Sequence, residues 1–422
     1  MPDMTKQEKS WVLYDVANSA FVLIIITTIM PIFFKDVASR GADSAVSTAN
    51  WAFANSFASL VLALLAPVIG AVADYENLKK KFLVFFLGLG ILATLALTTV
   101  SEGEWLRCLL IFVFARIGFA GANIFYDAFL VDITVKERMN RISTAGYAYG
   151  YIGSVIPFLM VIGLILLGTP PGASAGISVS AARAAFVIVA LWWLLFSVPL
   201  LKNVRQKYYM PPAKHPVRDS FARLAGTFKE IRKYRQVFLF LMAYFLYIDG
   251  VDTIITMSAA YGRDIGLGVT ALILAILMIQ IVAFPFALLY GNLADRFSEK
   301  TMLFVGIAVY SFITLVSFFL PDLPTKEMKV IVFWILAFFV ASSLGGIQAL
   351  SRSFFGRLIP AERSAEFFGF YNIFGKFAAI TGPFLMGVIS HITGHSRYGV
   401  LSLLILFIAG GIILSKVGRE NQ

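Results

Sequence analysis

Long apolar runs follow one another along this chain, separated by shorter segments that carry most of its charge. A membrane-spanning helix needs about 20 apolar residues, and the sequence contains twelve stretches of about that length. Their approximate limits are 11–35, 47–73, 82–100, 104–131, 143–167, 183–201, 235–260, 269–293, 301–320, 328–351, 364–390 and 397–416. Only 14% of the residues are charged, far fewer than in a soluble protein. We therefore predict an all-α membrane protein with twelve transmembrane helices.

The basic residues are distributed unevenly between the two sides of the membrane. If the N-terminus is cytoplasmic, the cytoplasmic segments hold 25 Lys and Arg residues and the opposite loops hold 8. Because Lys and Arg accumulate in cytoplasmic loops, both termini are predicted to be cytoplasmic. The chain contains no Asn-x-Ser/Thr sequon, which fits a bacterial protein. We expect it in the bacterial inner membrane.

A ten-residue pattern, Gly-x-x-x-Asp-x-x-x-x-Lys, occurs twice, after spans 2 and 8, and is called the cassette below. The copies are Gly70, Asp74 and Lys79, and Gly291, Asp295 and Lys300, 221 residues apart. A second repeat pairs Glu137-Arg138 with Glu362-Arg363. Such repeats predict two related halves, and six spans in each half make the halves parallel. The predicted domains are a six-helix bundle at 1–201, a linker at 202–234 and a second bundle at 235–422.

The predicted linker is basic and has apolar residues at helical spacing. These are Phe221, Leu224, Ala225, Phe228 and Ile231. The pattern favours an amphipathic helix that lies on the anionic inner leaflet. A solvated linker is the alternative.

The duplicated cassette, the basic linker and the twelve spans resemble the major facilitator superfamily. Asn77 and Ser298 stand where the loop signature of that superfamily often has glycine or a basic residue. More narrowly, four segments resemble the vacuole-effluxer family: Trp11–Phe21, Ala122–Thr134, Tyr247–Ile254 and Gly345–Arg363. Fungal members of that family are associated with amino-acid export from the vacuole. The resemblance implies the major facilitator fold, a central cavity lined by spans 1, 4, 7 and 10, and transport of amino acids or related zwitterions by alternating access.

Ionisable side chains within a span are costly unless they face a cavity or a partner. Arg116, Asn123 and Asp127 share one stripe of span 4, and Asp249 and Asp252 share one stripe of span 7. An arginine suits a carboxylate, because its donors form a bidentate pair. The two aspartates suit an ammonium group or a proton. Alternatively, Arg116 forms a structural ion pair with Asp127 or with another helix.

These considerations give three sets of predicted functional residues. The substrate-binding set is Arg116, Asn123, Tyr126, Asp249, Asp252, Asn372 and Lys376. The proton-coupling candidates are Asp127, Asp249 and Asp252. The gating set is Asp15, Asp74, Lys79, Asp295, Lys300, Glu137, Arg138, Glu362 and Arg363. The alternative role for Lys376 is to neutralise Asp252 or to snorkel to the interface.

Other classes of protein fit the sequence poorly. It has no phosphate-binding P-loop, no metal-ligand cluster and one cysteine, Cys108, so neither an enzyme nor an ATP-driven pump is expected. We expect no cofactor, metal or nucleic acid. The expected partners are a small-molecule substrate, the lipid bilayer and H⁺ or Na⁺, and we expect a monomer. A lipid or amphiphile exporter and a membrane sensor that does not transport are the alternative functions.

Overall fold

The structure is a computed structural model and describes residues 3–168, 178–212, 218–220, 224, 234–264 and 269–418. Its long helices are α1 Lys6–Ala38, α2 Ser44–Ala73, α3 Leu78–Ala96, α4 Trp105–Ala128, α5 Met139–Gly168, α6 Val179–Asn203, α7 Arg235–Asp264, α8 Val269–Phe297, α9 Glu299–Phe319, α10 Lys326–Leu358, α11 Ser364–Thr393 and α12 Ser396–Lys416. Short helical turns follow or precede them at Leu97–Thr99, Leu130–Ile133, Lys136–Arg138, Leu320–Asp322 and Ala361–Arg363. The all-α prediction is confirmed for this part of the chain.

Eleven of the helices in the described residues are long and apolar enough to cross a membrane. Helix α11 covers the span predicted at 364–390 but is not among the eleven. The structure does not describe the side chains of Lys376 and of residues 378–380 in this helix. The number of spans and the cytoplasmic termini stay predictions. The predicted amphipathic helix of the linker also lies largely outside the described residues.

Helix α1 is wound more widely than an ordinary α-helix over part of its length. Its segments Phe21–Ile29 and Phe34–Ala38 form π turns, in which each N–H bonds to the carbonyl five residues earlier. Pro31 has no N–H, and its ring crowds the carbonyl four residues before it. The Thr27 hydroxyl donates to the carbonyl oxygen of Val22 at 2.9 Å. Proline and inserted side-chain hydrogen bonds are known causes of such irregular helical turns.

The chain packs into two compact units. The first comprises Met1–Ile133, Tyr149–Phe221 and Ala361–Gly369, and the second comprises Thr134–Ala148, Ala222–Pro360 and Phe370–Gln422. The first turns of α5 therefore pack within the second unit, and the first turns of α11 pack within the first. The domain boundaries predicted at 201 and 235 do not describe this exchange of segments, and they stay predictions.

Aromatic side chains with polar ring atoms tie the helices of the first unit together. The indole N–H of Trp11 in α1 donates to the carbonyl oxygen of Tyr126 in α4 at 2.8 Å. That of Trp192 in α6 donates to the carbonyl oxygen of Val16 at 3.0 Å. Because a buried indole N–H needs an acceptor, these bonds specify how α4 and α6 pack on α1.

Tyrosine–serine pairs have the same role in the second unit. The hydroxyls of Tyr247 in α7 and Ser351 in α10 are 2.6 Å apart. Those of Tyr290 in α8 and Ser343 in α10 are 2.5 Å apart. All four side chains are buried, so α10 is held between α7 and α8 by hydrogen bonds in an otherwise apolar setting.

Candidate functional site

Arg116 lies in the middle of α4, and its guanidinium is directed at α2. It donates a short hydrogen bond to the side-chain carbonyl of Asn55. The amide nitrogen of Asn55 in turn donates to the carbonyl oxygen of Trp51 at 2.8 Å, which fixes the orientation of the amide. Within the described residues, no carboxylate lies within 4.0 Å of Arg116. The structural pair with Asp127, which the sequence left open, is therefore not the contact that Arg116 makes.

The polar stripe predicted on α4 continues toward α1. The Nδ2 of Asn18 donates to the Oδ1 of Asn123 at 3.0 Å, so polar residues of α1 and α4 are in contact. Asp127 is half-buried one turn beyond Asn123. Asp15 is buried in α1. These residues all lie in the first unit, together with Arg116.

Tyr126 occupies a tighter place than its predicted role requires. Its ring lies 4.4 Å from that of Trp11 and 4.6 Å from that of Tyr14, measured between centroids. Only 1% of the residue is exposed. This packing favours a role in shaping the unit over direct contact with a substrate.

In the second unit, Asp249 of α7 is fully buried and contacts α11. Its Oδ1 accepts a hydrogen bond from the backbone N–H of Gly382 at 2.6 Å. Asp252, one turn further along α7, is half-buried, as is Asn372 in α11. The side chain of Lys376 lies outside the described residues, so its predicted contacts are not tested.

The first cassette caps the start of α11. The Oδ1 and Oδ2 of Asp74 accept the backbone N–H groups of Ala365 and Glu366 at 2.8 and 3.0 Å. Oxygen acceptors suit this position, because the first N–H groups of a helix have no helical acceptor. The positive end of the helix dipole opposes protonation of the carboxylate but does not decide its charge alone. Gly70 permits this approach, since a Cβ on it would lie 2.3 Å from the carbonyl oxygen of Ala365. We call these contacts the α11 latch.

Lys79 extends the α11 latch inside the same unit. Its Nζ donates to the Oδ2 of Asp132 at 2.7 Å and to the Oγ of Ser364 at 2.8 Å. Both charged side chains are fully buried. The other oxygen of Asp132 accepts the backbone N–H groups of Lys207 and Tyr208 at 2.8 and 2.9 Å. Because the acceptors and donors are satisfied, this ion pair is held in one geometry.

Asp74 lies between two spans, and its environment sets its charge. Burial raises the pKa of this carboxyl group from 3.8 to about 7. The Lys79 ammonium and the two accepted N–H groups act against this shift, while the Glu366 carboxylate adds to it. The desolvation of a fully buried carboxylate is thus the larger effect.

The second cassette makes a different set of contacts with the start of α5. The amide of Asn140 donates to Asp295 at 3.2 Å and to Glu299 at 2.8 Å. Glu299 also pairs with Arg357. Lys300 caps the end of α12, donating to the carbonyl oxygens of residues 415 and 417 at 2.9 and 2.7 Å. We call the contacts around Asn140 the α5 latch.

The remaining predicted gating residues lie at the same two helix starts. Glu137 and Glu362 are exposed, and Arg138 is half-buried. Arg363, in the short turn before α11, pairs at 2.5 Å with Glu366 in the first turn of α11. The structure places all of them next to the latches but does not test a gating role.

Sequence reasoning missed Arg352 as well as Asn55 and Asn140. Arg352 is 2% exposed, and its Nε and Nη2 donate to the Oγ and carbonyl oxygen of Ser143 at 2.9 and 3.0 Å. Its guanidinium also lies over the ring of Tyr147, 4.5 Å from the centroid. The position of Arg352 at the apolar end of span 10 was the available signal, since a charge there needs partners.

Comparison with known proteins identifies the family. The family model described as "Vacuole effluxer Atg22 like" matches residues 44–422. YxiO of Bacillus subtilis, an uncharacterized MFS-type transporter, is 49% identical over 100% of this chain and 97% of its own length. Autophagy-related protein 22 of Saccharomyces cerevisiae (strain ATCC 204508 / S288c) is 22% identical over 98% of this chain and 92% of its own length.

Solved structures show the same fold. A bacterial homologue of the iron transporter ferroportin, in an outward-facing state, matches with a TM-score of 0.72 and 16% identity over 98% of each chain. The major facilitator superfamily transporter FucP matches with a TM-score of 0.71 and 14% identity over 98% of each chain. The predicted resemblance is confirmed, and the protein is a multi-pass membrane transporter rather than an enzyme. The chain belongs to the Atg22-like vacuole effluxer family of the major facilitator superfamily.

Proposed function

We propose that this transporter moves an amino acid or a related zwitterion across the membrane by alternating access, as efflux coupled to protons. Arg116 carries the proposal. A cation in the middle of a span costs about 3 kcal/mol or more without compensation, and here its partner is the neutral amide of Asn55. A substrate carboxylate would supply the missing negative charge, and the planar guanidinium suits bidentate binding.

Asn55 orients this group for its proposed task. It holds one nitrogen of Arg116, and its own amide is held by Trp51. A side chain fixed in this way loses less conformational entropy when it binds a ligand. Asn123, which is bonded to Asn18, adds a polar group on the same stripe of α4.

The second unit supplies the groups proposed for the other end of a zwitterion. Asp249 and Asp252 suit an ammonium group or a proton, and Asn372 and Lys376 are the proposed contacts from α11. Asp127 stays a candidate for proton coupling. The description of the matching family as a vacuole effluxer supports export as the proposed direction of transport.

The two latches are the proposed gate. By the distribution of Lys and Arg, the loops that carry both cassettes are cytoplasmic. We propose that the starts of α5 and α11 stay latched while the cytoplasmic side is closed. When that side opens, Asn140 at the start of α5 leaves Asp295, and the start of α11 leaves Asp74. The proposed location is a bacterial inner membrane, in keeping with the Bacillus relative.

A competition assay tests the assignment of Arg116. Purified protein in proteoliposomes exchanges a labelled amino acid, and unlabelled analogues compete, either lacking the carboxylate or lacking the amino group. We expect analogues without the carboxylate to compete poorly with the wild type. Arg116→Lys keeps the positive charge but loses the planar guanidinium that forms a bidentate pair. This variant should therefore bind the amino acid more weakly than the wild type. If both classes of analogue compete equally, Arg116 is not the carboxylate-binding group.

A further inference from the structure

Two buried oxygen atoms in the second unit lie close to each other, and neither bonds to any third group among the described residues. They are the Oδ2 of Asp249 and the Oγ1 of Thr253, one turn apart on α7, and neither residue has any exposed surface. Leaving a buried polar group without a partner costs about 1–3 kcal/mol. Two such oxygen atoms next to each other indicate a binding site for a proton or a cation. This statement concerns the part of the chain that the structure describes.

Both residues face the same point of α11. A Cβ on Gly382 would lie 2.0 Å from the Oγ1 of Thr253 and 2.4 Å from the Oδ1 of Asp249. A glycine at this position therefore makes room for the two oxygens. The next residue, Pro383, lies inside the helix, has no N–H and crowds the carbonyl four residues earlier. The Gly382 N–H, donated to Asp249 at 2.6 Å, thus links the carboxyl group to the residue before the proline of α11.

Among the described residues, no basic side chain forms an ion pair with Asp249. Asp252 on α7 carries the same charge. Tyr310 on α9 interacts with Asp252 and is neutral when protonated. Helices α8, α10 and α12 carry their ionisable residues toward their ends. On α11, Lys376 is the one basic residue between Arg363 and His391, and its side chain lies outside the described residues.

A proton matches this arrangement. A proton binds to a single lone pair of the Oδ2 of Asp249 and neutralises the buried carboxylate. The protonated Oδ2 can then donate a hydrogen bond to the Oγ1 of Thr253. A sodium ion would need several oxygen ligands, whereas two side-chain oxygens converge here. Transfer of the proton is simple acid–base chemistry, with the O–H bond of the carboxyl group formed on uptake and broken on release to water.

We propose that Asp249 is the residue that binds the coupling proton, held on Oδ2 next to Thr253 in the buried arrangement and released when α11 withdraws Gly382. This inference rests on the proposed transport function and narrows its three proton-coupling candidates to one. Withdrawal of α11 lets water reach the carboxyl group, which stabilises the ionised form and releases the proton. The Gly382 N–H acts in the opposite sense, because it bonds more strongly to an ionised carboxylate than to a neutral one, so the loss of desolvation has to be the larger effect.

Infrared difference spectroscopy on the full-length protein in lipid nanodiscs tests the proposal without any substrate. On raising the pH, the wild type should lose a C=O stretching band of a protonated carboxyl group that shifts in D₂O. Asp249→Asn should lack this band. Asp252→Asn and the surface variant Asp322→Asn should keep it. Thr253→Val, similar in shape, should keep the band at a higher frequency, because the carboxyl group loses its neighbour.

Each other outcome overturns the assignment. A band that survives in Asp249→Asn, or vanishes in Asp252→Asn, places the proton elsewhere. A band removed by NaCl but not by choline chloride at constant pH means that the site binds sodium. Because no amino acid is needed, the spectra stand independently of the transport assay: a failed assay would reject the proposed function, and a missing band would reject the proton site.

Discussion

At the scale of single residues, Asn77 and Ser298 show how the two cassettes differ. They occupy matching positions, three residues after Asp74 and Asp295, and both have a positive φ, 61° and 93°. Asn77, at ψ 5°, is in the left-handed region that asparagine tolerates. Ser298, at ψ 149°, is in a region that is essentially restricted to glycine. The strain at this position is therefore greater in the second cassette.

Ser298→Gly should raise the free energy of unfolding by about 1 kcal/mol, because glycine adopts this backbone without strain. Loss of the serine cap on Thr301 would offset a few tenths of that. Asn77→Gly should gain less. Thermal unfolding in detergent measures the effects, with Ser298→Ala as the control that removes the cap but keeps a Cβ. A Ser298→Gly protein no more stable than Ser298→Ala would contradict the argument.

Charged residues in the spans were predictable, but their partners were not. Arg116 and Asp249 stand out in apolar runs because burying them is costly. Asn55 and Gly382 are neutral, and nothing in a single sequence distinguishes an asparagine that holds an arginine from one that packs. The same limit explains Tyr126. It was predicted near the polar stripe of α4, but its stacking between Trp11 and Tyr14 depends on the tertiary packing.

At the scale of elements, each latch joins a cassette to the first turn of a distant helix. The α11 latch uses a carboxylate on the helix N-terminus, and the α5 latch uses the amide of Asn140. The sequence was sufficient to predict that the cassettes are a repeated pattern in the loops after spans 2 and 8. Their different contacts were not, because they depend on Ala365 and Asn140, which occupy matching positions of the second repeat.

Gly70→Ala should open the α11 latch. The new methyl group would lie 2.3 Å from the carbonyl oxygen of Ala365, so α2 and α11 would have to separate. Hydrogen exchange of the Ala365 and Glu366 amides should become faster. Gly88→Ala is the matched control, since a Cβ there meets no heavy atom within 4 Å. Equal exchange in both variants would show that the close approach is unimportant.

The α11 latch should weaken as the pH rises toward 7. The pKa of Asp74 is about 7 in the latch, raised by burial from 3.8, so protonation favours the latched state. The stability that protonated Asp74 adds to the α11 latch is fully present at a pH below the ordinary carboxyl pKa of 3.8. It is lost as the pH rises through about 7. Asp74→Asn cannot titrate. Amide exchange at Glu366, corrected for intrinsic rates, should therefore depend on pH in the wild type and not in the variant; identical profiles would refute this.

At the scale of the whole molecule, the class of fold was the most predictable property. Apolar runs of about 20 residues leave few alternatives to a helical membrane protein, and the repeats indicate two related halves. The exchange of helix starts between the two compact units was not predictable, because it depends on packing between segments distant in sequence. The substrate was not predictable either, since one fold carries many solutes.

The proposed orientation can be tested with single cysteines in a Cys108→Ser background. Asn77→Cys lies in a loop predicted to be cytoplasmic, and Glu102→Cys lies on the opposite side. A membrane-impermeant maleimide should label Glu102→Cys in intact cells and Asn77→Cys only after permeabilisation. The reverse pattern would invert the topology and move both latches to the other face.

Amino-acid counterflow in proteoliposomes tests the central claim most directly. A panel of labelled amino acids is screened with and without an imposed pH gradient, using the wild type and Arg116→Ala. We predict saturable exchange of at least one amino acid, a response to the pH gradient, and loss of exchange in Arg116→Ala, which should remain folded. No exchange of any amino acid by folded wild-type protein, or undiminished exchange by Arg116→Ala, would contradict the account.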